Sequence, residues 1–118
     1  MLAGAAVAAG VCTMITAIVL YDLPPHIGRA ECLAHYRRIA PDFLGVPGFI
    51  RKQFIYALDG AEAGGAYMWE SLAAAQAFYG GAWRDGILAR YGAEPRIAYY
   101  ETFAVADALT GRAEPVDA

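Results

Sequence analysis

The stretch from residue 62 to residue 83, EAGGAYMWESLAAAQAFYGGAW, constrains the fold of this chain more than any other. Tyr67 and Trp69 are two apart, so on a strand they lie on the same face. Ser71 follows at once, and its hydroxyl can cap a helix by accepting a hydrogen bond from an unpaired backbone N–H. The alanine-rich segment after it predicts that helix. An aromatic strand that leads straight into a helix is one way to line a pocket for a flat apolar molecule.

Two pairs of turn residues predict the hairpin before this strand. Gly64 and Gly65 can adopt backbone angles that other residues avoid, so we expect them to close the hairpin loop that Asp59-Gly60 opens. The remaining elements follow from apolar patterns between prolines and glycines. The predicted strands are residues 14–21, 49–58, 66–70 and 96–105, and the predicted helices are residues 27–40, 72–79 and 83–91.

The order of these elements is βαββαβ, which predicts a ferredoxin-like α+β fold with an antiparallel sheet and two helical layers on one face. In the first helix the predicted buried face consists of Ile27, Ala30, Leu33 and Ala34. In the second helical region, Gly80-Gly81 predicts a break and Gly92 a C-cap.

The last strand is apolar on both faces, with Ile97, Tyr99 and Phe103 on one side and Ala98 and Tyr100 on the other. Helices on one face of the sheet leave the second face uncovered. A second copy of the same sheet is the simplest cover, so we expect a homodimer. The apolar share of the composition, 58% in 118 residues, is high for so small a domain and favours the same conclusion.

The net charge and the positions of the cysteine and histidine residues exclude several functions. Net charge is −3 and the nine basic residues are scattered, so no nucleic-acid surface is predicted. Cys12 and Cys32 lack metal-ligand spacing and read as thiols of a reducing compartment, which indicates a cytoplasmic protein. His26 and His35 are nine apart, with no cluster that predicts a metal.

The uncharged start of the chain resembles a membrane span or an export signal in length alone. It lacks a basic residue before the apolar run, and its character changes at Met14, where a β-branched segment begins. We therefore expect residues 1–13 to be a loose extension or an upstream start, with a removed export signal as the alternative. The folded domain is predicted over residues 14–109, and residues 110–118 as a flexible tail or an arm onto a partner. No membrane association is predicted.

The segments Pro47-Gly48-Phe49 and 62–71, followed by the alanine-rich helix and the closing strand, resemble the dimeric α+β barrel proteins of the antibiotic-biosynthesis monooxygenase superfamily. The nearest branch is the YdhR-like monooxygenases, and the resemblance covers residues 14–109. It implies a homodimer whose two sheets form a barrel, with a pocket between sheet and helices in each subunit. It also implies oxidation of phenolic substrates by O2 without metal, flavin or haem.

The resemblance assigns the superfamily's strand tryptophan to Trp69. Its tyrosine has no direct counterpart here, and Tyr79 is the substitute one helical turn later. The superfamily's arginine is either Arg84 or Arg90. From the residues themselves, His35 suits a general base near neutral pH. Further candidate contacts for an aromatic substrate are Tyr67, Tyr36, Arg51, Tyr99 and Trp83.

Each candidate also has a purely structural interpretation. The aromatic side chains can be core residues of a small barrel, and Arg51 can serve structural pairing on its strand. Three functions follow. The first is a cofactor-independent monooxygenase in which Trp69 orients the ring and Tyr79 or His35 handles the proton. The second is a non-redox protein of the same fold, either a small-molecule binder or a cyclase-like or isomerase-like enzyme. The third is a structural dimer.

Overall fold

The strands and helices follow one another in the predicted order, and one further hairpin follows them. The computed structural model describes residues 13–115. Residues 1–12 of the predicted extension, which include Cys12, lie outside the described residues. The strands are β1 Ile15–Asp22, β2 Phe49–Tyr56, β3 Glu62–Trp69, β4 Arg96–Glu101, β5 Ala104–Asp107 and β6 Arg112–Pro115. The helices are α1 Arg29–Ile39, α2 Leu72–Phe78 and α3 Gly81–Tyr91, and a 3-10 helix covers Ala40–Gly45.

Four strands form one antiparallel sheet in the order β2-β3-β1-β4. This arrangement confirms the predicted ferredoxin-like α+β fold. In the central strand β1, Ile15, Ala17, Val19 and Tyr21 are buried, and the residues between them are half-buried. Pairing places these four beside Trp69, Tyr67, Gly65 and Ala63 of β3. The helices therefore cover one face of the sheet, and Tyr67 and Trp69 share that face as predicted.

The caps of the second helical region form as the sequence predicts. Ser71 Oγ accepts a hydrogen bond of 3.1 Å from the backbone N–H of Ala74, at the start of α2. The helical region is interrupted at Gly80-Gly81, between α2 and α3. Gly92 ends α3 in the left-handed conformation, φ 70°, and its N–H donates to the carbonyl of Leu88. No helix within residues 13–115 has the length and apolar character needed to cross a membrane.

The predicted role of Gly64 and Gly65 in the hairpin loop is wrong, because both lie inside β3. The turn itself uses Gly60, with φ 75°. A Cβ on Gly64 would lie 1.8 Å from the carbonyl oxygen of Val19, and one on Gly65 would lie 2.5 Å from Cε of Lys52. These two glycines therefore allow Val19 and Lys52 to approach β3 closely within the sheet, and they do not form a turn.

The predicted buried face of α1 is wrong at three of its four residues, whereas Ile27, just before the helix, is buried as expected. The helix begins two residues later than expected and buries Cys32 and Tyr36. Leu33 is 42% exposed. An inward tyrosine ring removes far more apolar surface from water than the predicted alanines would, so the aromatic side chain determines how the helix is rotated. The exposed residues of the predicted face are Ala30, Leu33 and Ala34.

The predicted last strand, residues 96–105, is divided into β4 and β5. Thr102 lies at the division, where its N–H donates to the carbonyl of Met14 and its hydroxyl shares a 2.6 Å hydrogen bond with that of Thr16. The segment expected to be a flexible tail from residue 110 contains β6, which pairs with β5. An ion pair of 3.1 Å between Arg51 and Asp107 joins this hairpin to β2.

Candidate functional site

A cavity of about 320 Å³ lies between the sheet and helices α1 and α3. None of the described residues that line it is acidic. Three of its lining side chains are basic, namely His35, Lys52 and Arg90. Its aromatic and hydroxyl-bearing lining consists of Tyr21, Tyr36, Phe43, Tyr67, Trp83 and Tyr91. We call this space the inner cavity.

Lys52 is the single lysine of the chain, beside eight arginines, and it points into the inner cavity. Its Nζ lies 3.8 Å from the ring centroid of Phe54, 4.3 Å from that of Phe43 and 4.4 Å from that of Tyr67. Burial lowers the pKa of Lys52 to about 7, while the three ring faces attract the ammonium form and oppose this effect. No acidic side chain among residues 13–115 pairs with it.

A β-bulge explains why sequence reasoning missed Lys52 and chose Arg51. The register of β2 against β3 shifts between Phe49 and Arg51. Simple alternation from the inward-facing Phe49 would place Arg51 inward, but the bulge reverses the faces. Lys52 therefore lies opposite Tyr67 and faces the helices. The signal available in the sequence was the rarity of lysine in this chain.

Arg90 reaches the inner cavity from α3 and carries an orphan donor. Its Nε is buried and has no hydrogen-bond partner among the described residues. Its Nη2 lies 3.8 Å from a carboxylate oxygen of Glu31, which is a long contact. Arg84, the alternative for the superfamily's arginine, instead pairs with Glu94 at the surface. Of the two arginines, only Arg90 lines the inner cavity.

Three tyrosine hydroxyls meet at one wall of the inner cavity. The hydroxyls of Tyr21 and Tyr36 share a hydrogen bond of 2.5 Å, and Tyr21 donates to Tyr91 at 3.4 Å. The rings of Tyr21 and Tyr91 stack with centroids 4.2 Å apart. Burial raises the pKa of Tyr21 and of Tyr36, so both stay protonated at neutral pH. The wall therefore offers neutral hydroxyl groups.

His35 lines the inner cavity from the middle of α1, as expected of a candidate base. Burial lowers the pKa of His35, and the positive charge of Arg90 lowers it further. The smaller contributions of Arg38 and Lys52 have the same sign. Its Nδ1 lies 2.9 Å from Nη2 of Arg38, which can only donate, so the ring accepts there. The imidazole is therefore neutral at pH 7, with its proton on Nε2, and it can take a second proton only at Nδ1, in place of the hydrogen bond from Arg38.

Trp69 and Tyr79 form a buried pair beside the inner cavity, not in its wall. The indole N–H of Trp69 donates to the hydroxyl of Tyr79 at 3.1 Å. Trp69 is fully buried and stacks on Tyr67 at 5.9 Å between centroids. Tyr79 contacts Trp83 at 4.9 Å, and burial raises the pKa of Tyr79. The pair thus supports two wall residues, Tyr67 and Trp83, from behind.

The remaining sequence candidates are divided between the two faces of the sheet. Tyr36, Tyr67 and Trp83 meet at the inner cavity. Tyr99 shares the helix-facing side of the sheet but lies nearer Tyr79, with ring centroids 6.3 Å apart. Arg51 points the other way and bonds to Asp107 and Gln53, which is the structural pairing that the sequence left open.

A second depression, of about 400 Å³, lies between α1 and β2 on the outer side of Tyr36. Its charged lining residues, Arg29 and Arg37, are exposed. Burial raises the pKa of the Cys32 thiol in its floor, so this thiol stays protonated. Within residues 13–115 no three His, Cys, Asp or Glu side chains come together as metal ligands.

Comparison with solved structures relates this arrangement to known proteins. A monooxygenase from the gene ActVA-Orf6 of Streptomyces coelicolor, in complex with nanaomycin D, is 16% identical, with a TM-score of 0.57 over 77% of this chain and 88% of its own. SnoaB, a cofactor-independent oxygenase from Streptomyces nogalater, is 15% identical, with a TM-score of 0.57 over 76% and 93%. The chain has the fold of the antibiotic biosynthesis monooxygenases.

Proteins without an assigned activity share this monooxygenase fold. NE2512 from Nitrosomonas europaea, of unknown function, is 18% identical, with a TM-score of 0.60 over 80% of this chain and 93% of its own. No protein-family model and no curated protein sequence matches the chain. At these identities the likeness establishes the monooxygenase fold, and activity has to be argued from the site.

Proposed function

We propose that this protein is a cofactor-independent monooxygenase that oxidises a small phenolic or quinol-type aromatic compound with O2. One observation carries the proposal, namely the inner cavity, which joins aromatic walls to a neutral histidine and to hydroxyl donors. Solved structures with the same fold include a cofactor-independent oxygenase and a monooxygenase in complex with nanaomycin D.

The proposed chemistry needs no external reductant. For a hydroxyanthrone, Nδ1 of His35, once the Arg38 hydrogen bond is released, removes a proton from the activated ring methylene, and aromatic walls hold the resulting anion. The anion transfers electrons to O2. One oxygen atom becomes the new carbonyl of the substrate, and the other leaves as water with the two methylene hydrogens. The substrate supplies all four electrons.

Trp69, Tyr79 and His35 have different roles in this proposal. His35 is the proton acceptor, because it is the member of the three that lines the inner cavity. Trp69 and Tyr79 are positioning residues, since they pack behind Tyr67 and Trp83. Tyr36, Tyr67 and Trp83 form the binding walls, while Tyr99 lies beyond Tyr79 and Arg51 on the far face.

We also propose that the protein is a cytoplasmic homodimer of the YdhR-like branch, formed by the outer face of the sheet. The centre of that face is apolar, with half-buried Ile18, Leu20 and Met68, and Tyr100 is 57% exposed. Arg51 and Gln53 lie toward its β2 edge. The arm formed by β5 and β6 supports the same assembly, since Phe103 before it is 76% exposed. Two such sheets packed face to face would form a barrel.

The test is oxygen uptake by metal-stripped, flavin-free protein with hydroxyanthrones, naphthols and catechols. Under ¹⁸O2, an enzyme-dependent product that carries one heavy oxygen atom is expected. The variant His35→Asn should lower the rate at least tenfold. His26→Asn, at the chain's other and exposed histidine, is the matched control and should retain it.

A non-redox function is the second candidate, and a specific observation favours it. The histidine and tyrosine hydroxyls of the inner cavity also suit proton transfer in an isomerase-like or cyclase-like reaction, or simple binding. Absence of oxygen uptake, together with a rise in melting temperature on addition of the same ring compounds, would support this candidate and contradict the monooxygenase.

A further inference from the structure

We propose that the inner cavity binds an aromatic carboxylic acid, with its carboxylate held between the Lys52 ammonium and the Arg90 guanidinium. This inference rests on the proposed function for the identity of the site, and it names the substrate class. It starts from two hydrogen-bond donors that enter the same cavity from β2 and α3 and find no acceptor there.

The first donor is Lys52. Lysine is normally a surface residue, and taking its ammonium group partly out of water is costly unless the group is paired; the Lys52 side chain is half-buried. This chain places its single lysine among three aromatic rings, with no hydrogen bond or ion pair to any residue of the described chain. The rings stabilise a cation but cannot accept a strong hydrogen bond, so the three ammonium hydrogens lack acceptors.

The second donor is the Nε–H of Arg90. It is buried and unpaired among residues 13–115, and the nearest carboxylate, on Glu31, is 3.8 Å from a different nitrogen of the same guanidinium. An unsatisfied buried donor costs about 1–3 kcal/mol, so such groups are rare where no ligand completes them. This buried donor, together with the half-buried and unpaired ammonium of Lys52 in the same cavity, indicates a missing acceptor.

The charges of the cavity identify that acceptor as an anion. Its lining includes His35, Lys52 and Arg90 and, within the described chain, no acid. A carboxylate has two oxygens and about four lone-pair sites, enough for both donors. It is also ionised throughout the neutral range, whereas a phenol, with a pKa of about 10, must first lose a proton.

The ring of the ligand follows from the walls. Tyr67 and Trp83 line the same cavity as Lys52, and Tyr67 is itself one of the rings around Nζ. A planar acid can therefore place its ring against these side chains while its carboxylate reaches the two donors. The resulting ion pair would also raise the pKa of Lys52 back toward its ordinary value.

The experiment compares 2-naphthoate with 2-naphthol by calorimetric titration at pH 7 under anaerobic conditions. Naphthoate should bind wild-type protein at least about tenfold more tightly than naphthol. Lys52→Met should remove this preference, Lys52→Arg should retain most of it, and Arg90→Gln should reduce it. Arg37→Gln, an exposed arginine outside the inner cavity, should leave both affinities unchanged.

A second measurement does not depend on variants. In protein labelled with ¹³C at lysine Cε, the lysine signal comes from Lys52 alone. Its titration should move to higher pH with naphthoate and not with naphthol. An unchanged titration, equal affinities for the two ring compounds, or inorganic phosphate binding as tightly as naphthoate would overturn the proposal.

These outcomes are separate from those of the proposed oxygenase activity, because binding is measured without O2. Naphthoate selectivity without oxygen uptake by any ring compound would leave the carboxylate site standing and remove the monooxygenase. Oxygen uptake with no preference for the carboxylate would support the monooxygenase and overturn the carboxylate site.

Discussion

The indole of Trp69 and the phenol of Tyr79 are joined by a hydrogen bond of 3.1 Å in the interior, where Trp69 is fully buried. Both rings also pack on Tyr67, with Trp69 stacked and Tyr79 edge-on. The pair thus connects the end of β3 to the end of α2 directly behind the inner cavity.

A double-mutant cycle should measure this bond. Trp69→Phe leaves the Tyr79 hydroxyl without its donor and opens a cavity, so we expect a loss of about 2–4 kcal/mol in the free energy of unfolding. Tyr79→Phe should cost about 1–2 kcal/mol. Urea denaturation of both single variants and the double variant should give a coupling of about 1 kcal/mol. Additive losses would contradict the hydrogen bond.

The free energy of unfolding should depend on pH through Lys52. Its pKa is about 7 when folded and about 10.4 when unfolded, so between these values the unfolded state binds the extra proton. The contribution of Lys52 to the free energy of unfolding is therefore most unfavourable below pH 7. Above pH 7 the free energy of unfolding rises through this group by up to about 1.4 kcal/mol per pH unit. His35, Arg90 and Tyr67 line the cavity together with Lys52. They are unchanged in the variant used for comparison below, so the difference between the two proteins reports the titration of Lys52.

The comparison is with Lys52→Met, by urea denaturation at several values between pH 6.5 and pH 9.5. The variant should be more stable than wild type near pH 7, and the difference should shrink as pH rises. A difference independent of pH would mean that Lys52 has an ordinary pKa. Buried tyrosines titrate above this range, because burial raises the pKa of Tyr21, Tyr36 and Tyr67.

Gly64→Ala should disrupt the sheet. Its Cβ would lie 1.8 Å from the backbone oxygen of Val19, and backbone in the central strand cannot move aside. We expect a loss of more than about 3 kcal/mol or failure to fold, measured by thermal and urea denaturation. Gly86→Ala is the control, since no atom lies within 4 Å of its Cβ, and in α3 it should stabilise the protein by about 0.5–1 kcal/mol.

The rate of oxygen uptake should fall in acid through the titration of His35. The pKa of His35 is lowered by burial first and by Arg90 second, so half-maximal kcat/KM should lie below pH 6.5. Removing one neighbouring charge, in Arg38→Gln, should move that midpoint upward. A profile without an acid limb, or a midpoint unmoved by this change, would contradict the role of His35 as base.

The proposed dimer should depend on the β5–β6 arm. Leu109 at its turn is 94% exposed, so Leu109→Asp removes no contact within the subunit. We expect sedimentation velocity to show a shift from dimer to monomer with little change in far-UV circular dichroism. The matched control is Leu58→Asp, a fully exposed leucine beside the β2–β3 turn. A monomeric wild-type protein, or a dimer insensitive to Leu109→Asp, would count against this assembly.

Local patterns of the sequence were enough to predict much of this fold. Tyr67, Trp69 and Ser71 lie within five residues, and their alternation and capping depend only on neighbours, so β3 and α2 were predicted correctly in type and order. Gly64 and Gly65 were misread because their reason is a close approach to Val19 and Lys52, which the local sequence does not display.

The candidate site was harder to predict because it depends on register and rotation. A single bulge after Phe49 decides that Lys52, not Arg51, faces the helices. The orientation of α1 decides that Tyr36 meets Tyr21 across 15 residues of chain. His35, Tyr36, Tyr67 and Trp83 were named from the sequence and do line the inner cavity. Arg90 was named only as an alternative to Arg84, and Lys52 was not named.

The interior position of the single lysine has a consequence for how this protein is marked and probed. The single ε-amine that acylating reagents and lysine acetyltransferases can modify is half-buried in the lining of the cavity, so the side-chain target for such chemistry is the cavity itself. Acetylation there would remove the charge of the one cation held among the rings. The extent of labelling at this residue therefore reports, in a crude extract as well as in pure protein, how often the cavity stands empty.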